Sequence, residues 1–187
     1  MDIVGKDLLL KRLDELFTIE MDENIPGAHD IQGRIGAYWH GNEPCHHIAF
    51  LYNQLGQPWK CQKWIRTIVS HFYGDEPGSL SGNDDCGQMS AWYIFACMGF
   101  YPVAPSSNVY SIGSPCVKAM KLKLSNGKMI EMIADNWSSR NIYVKELYVN
   151  GKKHTSSYLK YDDVCNGVKL RFVMSGKPNY KRGLDSN

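Results

Sequence analysis

Two short segments of the chain concentrate the side chains that could carry out chemistry. Residues 40–47 read HGNEPCHH and combine an amide, a carboxylate and imidazoles. Residues 81–88 read SGNDDCGQ and place Asp84 and Asp85 side by side, next to an amide. Oxygen-rich clusters of this kind suit a hard cation such as Ca²⁺, which takes about 6–8 oxygen ligands. Because adjacent side chains point in different directions, one aspartate can cap a helix while the other faces a cleft.

Aromatic residues surround both segments and indicate a sugar site. The C–H faces of sugars stack on aromatic rings, while sugar hydroxyls bond to carboxylates and amides. Aromatic residues at helical spacing are more often part of a hydrophobic core, which we expect for Trp64 and Tyr93. The aromatic residues near the two segments are Tyr38, Trp39, Tyr52, Trp59, Trp64, Trp92 and Tyr93.

Three other interpretations of the same residues remain open. Four potential zinc ligands, at positions 40, 45, 46 and 47, lie too close together to surround one tetrahedral ion, and no distant pair completes them. Cys86 could be a nucleophile, since a helix N-terminus lowers a thiol pKa, but the neighbouring aspartates oppose that shift. Asp84 could be only a helix cap, and His46 and His47 could be solvated or bound to backbone.

Composition and charge narrow the classes of protein that fit. The chain has 187 residues, of which 43% are hydrophobic and 21% charged, which is ordinary globular composition. A net charge of +2 is lower than a nucleic-acid-binding surface usually requires. The longest apolar stretch, 91–101, is about half of a membrane span, and charges interrupt the amino-terminal apolar stretch, so we expect neither a membrane helix nor a secretory signal. The cysteines form no C-x-x-C pair, which favours reduced, mostly buried thiols.

The first half of the chain has the periodicity of helices. Apolar residues at positions 9, 13, 16 and 17 predict an amphipathic helix over 5–17, followed by a loop over 18–30. A second helix is predicted over 45–55, and a third begins at Pro58 and ends before Gly74. A fourth is predicted to begin at Asp84 or Asp85 and to end at Gly99.

The second half alternates as β-strands do. Strands are predicted over 120–124 and 129–133, joined by an Asn126-Gly127 turn, over 142–149, and over 168–174. One face of this antiparallel unit should be buried. The sequence therefore predicts an α+β fold with a helical region over 1–105 and an antiparallel β region over 106–187.

Several motifs in order resemble glycoside hydrolase family 92, the calcium-dependent exo-α-mannosidases. They are IGAYWHGNEPCHH at 35–47, LGQPW at 55–59, GNDDCGQMSAWY at 82–93 and MGFYPV at 98–103, with further similarity at 110–115 and at 150–151. Enzymes of this family are much longer and have an amino-terminal β-sandwich and a catalytic (α/α)6 barrel. The resemblance implies that residues 1–105 are the last part of such a barrel and that the chain is a carboxy-terminal fragment.

The resemblance also implies residue roles. Asp85 matches the general base that activates water, and Asp84 is expected to support it. Many members have an acidic residue where this chain has Asn83. Asn42 and Glu43 match the neighbourhood of a calcium ion that binds the mannose O2 and O3 and helps to distort the ring. The sugar-binding residues expected from the resemblance and its neighbourhood are His46, His47, Trp39 and Gln88.

The resemblance implies part of an inverting exo-α-mannosidase that removes terminal α-linked mannose from glycans such as N-glycans. Inversion needs an acid and a base about 6.5–9.5 Å apart. The acid of the family is a glutamate upstream of this sequence, so we expect the chain to be inactive alone. The alternative is a non-catalytic remnant that binds carbohydrate or calcium. Full-length relatives are typically bacterial and periplasmic or secreted, and exposed barrel helices would favour self-association.

Overall fold

The structure, a computed structural model, describes residues 3–20, 32–76 and 78–184. Its helices are α1 (Lys6–Thr18), α2 (Leu51–Gln54), α3 (Pro58–Phe72), α4 (Gln88–Met98) and α5 (Tyr161–Cys165), with 3₁₀ turns at Glu43–Cys45, Ile48–Phe50 and Pro105–Ser107. Its strands are β1 (Arg34–Ile35), β2 (Tyr38–Trp39), β3 (Phe100–Tyr101), β4 (Val109–Ile112), β5 (Ala119–Lys123), β6 (Met129–Asp135), β7 (Tyr143–Val149), β8 (Lys152–His154), β9 (Tyr158–Lys160) and β10 (Val168–Ser175). The loop predicted over 18–30 lies largely outside the described residues.

Helix α1 packs its apolar stripe against α3 rather than leaving it exposed. Leu13 is 5% exposed and Phe17 is 3% exposed, and the Phe17 ring stacks on Trp64 with the ring centroids 4.5 Å apart. The helix boundaries agree with the prediction to within a residue. Leu13 and Phe17 are covered inside the chain, whereas Leu9 and Leu16 are half-buried, and self-association stays a prediction.

The helix predicted over 45–55 is wrong in its first half. The segment folds as two 3₁₀ turns followed by the short helix α2. The backbone N–H of Phe50 donates to the carbonyl oxygen of His47, three residues back. The carbonyl of His46, which an α-helix would use four residues on, instead accepts the indole N–H of Trp92 at 3.1 Å. A tertiary contact therefore replaces the regular helical bond.

Helix α4 begins at Gln88, later than either aspartate that was predicted to open it. Asp85, Cys86 and Gly87 have φ values of 46°, 57° and 91°, in the left-handed region that cannot continue a right-handed helix. Gly87 occupies the cap position and has no side chain with which to accept a hydrogen bond. The end of the helix at Gly99 agrees with the prediction.

Strands dominate the second half of the chain, and the predicted α+β fold is confirmed. The largest sheet has the order β5-β6-β10-β7-β8, and a smaller one has the order β3-β4-β9. The pairings of these sheets are antiparallel, except that β6 and β10 run parallel. Alternate residues of β10, such as Leu170 and Phe172, fill the core beneath the sheet. The division of the chain at residue 105 stays a prediction.

The two halves are joined by buried polar contacts as well as by apolar packing. The amide Nδ2 of Asn53 in α2 donates to Ser111 Oγ and to the carbonyl oxygen of Ile112, both at 2.7 Å. Gln62 of α3 accepts the backbone N–H of Val144 in β7 at 3.0 Å. These contacts hold α2, which follows the first polar segment, and α3 against the sheets. Within the described ranges, no helix is long and apolar enough to cross a membrane.

Candidate functional site

Two loops meet backbone to backbone through a glycine. A Cβ atom on Gly41 would lie 2.4 Å from the carbonyl oxygen of Ser81 and 2.7 Å from that of Gln32, which is closer than any side chain permits. The backbone N–H of Gly41 donates to the same Gln32 oxygen at 3.0 Å. The close approach sets the first loop, residues 40–47, directly against the second loop, residues 81–88.

This contact brings two acidic side chains together. The carboxyl groups of Glu43, in the first loop, and Asp85, in the second, hydrogen-bond to each other. The hydrogen bond to Glu43 raises the pKa of Asp85, with smaller contributions from desolvation and from the charges of Glu43 and Asp84. The same bond lowers the pKa of Glu43. The pair therefore competes for one proton, as carboxyl groups in contact do.

The two aspartates of the second loop have separate environments. The carboxylate Oδ1 of Asp84 accepts the backbone N–H of Ser90 at 2.9 Å, which satisfies one of the free N–H groups in the first turn of α4. Asp85 is exposed and holds a left-handed backbone conformation that costs a non-glycine residue about 1–2 kcal/mol. Strain of this kind is common at functional sites.

His46 is buried and makes hydrogen bonds to residues of both loops. It is 1% exposed. Its Nε2–H donates to the carbonyl oxygen of His40 at 3.0 Å, so Nδ1 is the acceptor for the Gln88 amide at 3.1 Å. Gln88 also donates to Tyr101 Oη at 3.3 Å. His46 and Gln88, both predicted to bind sugar, therefore hold the two loops to each other.

A buried chain of hydrogen bonds runs beneath the loops through His40. The hydroxyl of Tyr73 donates to the carbonyl oxygen of Met89 at 3.2 Å, so it accepts the Nε2–H of His40 at 2.7 Å. The Nδ1 atom of His40 then accepts the hydroxyl of Tyr38 at 2.9 Å. Burial, aided by the charge of His46, lowers the pKa of His40 to about 3. Neutral His40 thus ties the first loop to α4 through Tyr73.

The remaining predicted residues lie in or next to the first loop, with part of their surface accessible. Trp39 is half-buried, and the Arg34 guanidinium carbon lies 5.6 Å from its ring centroid. His47 and Asn42 are also half-buried. Asn42 occupies the cap position of the turn Glu43–Cys45, yet its side chain makes no capping hydrogen bond.

The donor chemistry of the first loop fits a hard cation. Asn42 offers an amide oxygen that no cap bond uses, and Glu43 offers a carboxylate beside that of Asp85. Among the residues that the structure describes, no three His, Cys, Asp or Glu side chains are arranged to hold a metal ion. Part of a ligand set would therefore have to come from amide or backbone oxygens or from water.

Sequence reasoning missed the residues that hold the loops in place. Tyr73 lies in no motif, and nothing in its neighbourhood predicts that it binds His40. The sequence does indicate the role of Gly41, because a glycine inside a polar segment is typical of a place where two backbones approach closely. The cap role of Asp84 was foreseen as an alternative, although the helix starts further along the chain.

Comparison with known proteins places these loops in a family. The model of the Glycosyl hydrolase family 92 catalytic domain matches residues 2–176. A curated relative, an uncharacterised secreted glycosidase of Arthroderma benhamiae, is 32% identical over 150 residues, which cover 79% of this chain and 19% of that protein.

Solved structures agree with the family match. A family GH92 α-mannosidase from Bacteroides thetaiotaomicron in complex with mannoimidazole is 74% identical, with a TM-score of 0.94 over 97% of this chain. A family GH92 inverting mannosidase from the same species is 35% identical, with a TM-score of 0.79 over 97% of this chain. The chain spans 24% of the first of these proteins and 26% of the second.

Proposed function

The chain belongs to glycosyl hydrolase family 92, and from this membership we propose that it supplies the general-base side of an inverting exo-α-mannosidase site. The proposal rests on one observation. Two loops that are distant in sequence present the carboxyl groups of Glu43 and Asp85 in contact with each other. Asp85 is exposed and can therefore reach a water molecule, and an inverting glycosidase needs a carboxylate general base of this kind.

In this proposal Asp85 takes a proton from the water that attacks the anomeric carbon. Asp84 supports it indirectly, since the bond from Ser90 to Asp84 anchors the turn that presents Asp85. Trp39 and His47 contact the sugar, while His46 and Gln88 position the loops. The leaving oxygen must also be protonated by an acid on the opposite side of the sugar, a role that the family resemblance gives to a glutamate outside the motifs of this chain.

Asn42 and Glu43 are the residues that would hold a calcium ion. When bound, the ion would supply positive charge that fixes sugar hydroxyls in the site. The residues of this chain would do the remaining work: Glu43 and Asn42 present oxygen ligands, Asp85 accepts the proton, and Trp39 stacks on the ring.

A chimera tests the proposal in a complete site. The matching 24% of the 74% identical α-mannosidase is replaced by this chain, and turnover of an α-mannobiose is measured with calcium present. We expect activity in the chimera and none in the chain alone, because general acid catalysis is worth about 10²–10⁴-fold.

The role of Asp85 is then tested by substitution. Asp85→Asn should lower kcat of the chimera at least ~100-fold, and the exposed Asp75→Asn serves as the matched control. Proton NMR of the first-formed product should show the β anomer. Full activity of the Asp85→Asn chimera, or an α product, would contradict the proposal. Mannoside binding by the chain alone, with no turnover in the chimera, would favour the non-catalytic alternative.

A further inference from the structure

A cavity of about 230 Å³ lies away from the two loops, beside strands β7 and β8 and the segment 179–182. Its size suits a small group rather than a polymer. The lining residues that carry charge or can titrate are Lys145, Lys153, Lys181, Arg182, His154 and Glu146.

Positive charge exceeds negative charge in this cavity. Glu146 is already occupied, because it pairs with Lys153 at 2.9 Å and accepts the hydroxyl of Tyr148 at 2.9 Å. No carboxylate of the described residues lies within 4.0 Å of the ammonium group of Lys145 or Lys181, although the charge of Lys145 also lowers the pKa of Glu146. A pocket with unpaired cations of this kind concentrates anions.

The most unusual residue that lines the cavity is Arg182, which is 7% exposed. Its Nη2 atom donates to the carbonyl oxygen of Ser156 at 3.3 Å. Its Nε and Nη1 atoms are closed to solvent and have no hydrogen-bond partner among the residues that the structure describes. A buried cation without a counter-charge is costly, and in native proteins such groups are normally paired.

We propose that the cavity binds an oxyanion of the phosphate class, with Arg182 as the central cation and Lys145 and Lys181 at its mouth. A guanidinium matches a phosphate with two parallel hydrogen bonds, and the lysines supply further charge. Since Nε and Nη1 are closed off, a rotation of the Arg182 side chain accompanies binding. The phosphate group could be free or could be a monoester on a sugar, and both sources offer the same chemistry. The inference does not depend on the mannosidase proposal.

Thermal unfolding of the 187-residue chain tests the site. Sodium phosphate in low-salt buffer is compared with sodium chloride at the same ionic strength, which cancels screening, and the variants below separate site binding from the general stabilising effect of phosphate. A ligand that binds the folded state raises Tm in proportion to the logarithm of its concentration above Kd. We expect phosphate to raise Tm beyond chloride, and glucose 6-phosphate serves as the probe for a sugar monoester.

Variants locate the effect. Arg182→Met and Lys181→Gln should each weaken phosphate binding about 10-fold or more, since each removes a charge-assisted hydrogen bond. Lys123→Gln, on the distant strand β5, is the matched control and should bind as the parent does. If Arg182→Met does not fold, the exposed Lys181→Gln still decides the outcome.

Two results would overturn the proposal: a phosphate shift no larger than the chloride shift, or a phosphate shift that both variants retain. Binding of glucose 6-phosphate at least ~10-fold tighter than inorganic phosphate would identify a phosphorylated sugar as the ligand. Equal affinity would identify free phosphate.

Discussion

Replacing Gly41 by alanine should separate the two loops. The added Cβ would start 2.4 Å from the Ser81 carbonyl oxygen, whereas ordinary contacts begin at 3.4 Å, so one backbone must move by about 1 Å. Gly41 has no positive φ, so the effect is steric and not a matter of backbone conformation. Overpacking of this kind costs about 1–3 kcal/mol. Because a chain of this size loses roughly 2–4 °C of Tm per kcal/mol, we expect a drop of roughly 2–12 °C.

The same substitution should change how Glu43 and Asp85 titrate. Their contact raises the pKa of Asp85 and lowers that of Glu43, so separation should bring the two pKa values closer to those of isolated carboxyl groups. Carbon-13 NMR of the side-chain carboxyls over a pH series measures both. Gly127→Ala is the control: Gly127 has a φ of +80° with open space around it, so it should cost about 1 kcal/mol of strain and leave both titrations unchanged. If Gly41→Ala has the same Tm and the same carboxyl pKa values as the parent, the glycine does not determine how the loops meet.

Three further outcomes can be checked on the same chain. Asp84→Ala should lower the free energy of unfolding by about 0.5–2 kcal/mol in a denaturant titration, because the hydrogen bond that caps α4 is lost. Asp84→Asn keeps an acceptor oxygen and should leave this free energy nearly unchanged. Equal losses in the two variants would exclude capping. The His40 pKa is about 3 in the folded state, below its unfolded value, so its contribution to stability is present above about pH 6.5 and is lost as pH falls toward 3. Unfolding free energies across that range should fall less steeply in His40→Gln, and parallel curves would contradict this. Exposed Cys86 should react with a thiol reagent at pH 8 in the native state, while Cys61, whose thiol pKa burial raises, should react only on unfolding.

The regular elements could be predicted because their patterns are local. The boundaries of α1 and α3 follow from apolar spacing, from Pro58 at the first turn and from a glycine beyond the end. The alternation in β10 places Val168, Leu170, Phe172 and Met174 on one buried face, as the structure shows. Each of these signals acts within a few residues of its effect, so the sequence suffices to place it.

Elements that depend on distant contacts could not be predicted in the same way. The segment 45–55 has helical spacing, yet the indole N–H of Trp92 donates to the carbonyl oxygen of His46, and the backbone that follows forms a 3₁₀ turn. The parallel pairing of β6 with β10 has no local signature either. In the candidate site, the motifs located the loops, but the buried positions of His46 and His40 depend on Tyr73 and Gln88, whose partners lie far along the chain.

The backbone and hydrogen bonds at the start of α4 explain how the chain keeps Asp85 exposed next to Glu43. A helix that opens on Gly87 has no cap side chain, and its free N–H groups would ordinarily attract the nearest carboxylate. Asp84, which lies outside the helix, accepts the backbone N–H of Ser90, so Asp85 is not needed as a cap. The left-handed turn at Asp85 and Cys86 then directs the second carboxylate toward Glu43. One aspartate stabilises the helix and the other stays available for chemistry, so stability and function should respond to different substitutions in neighbouring residues.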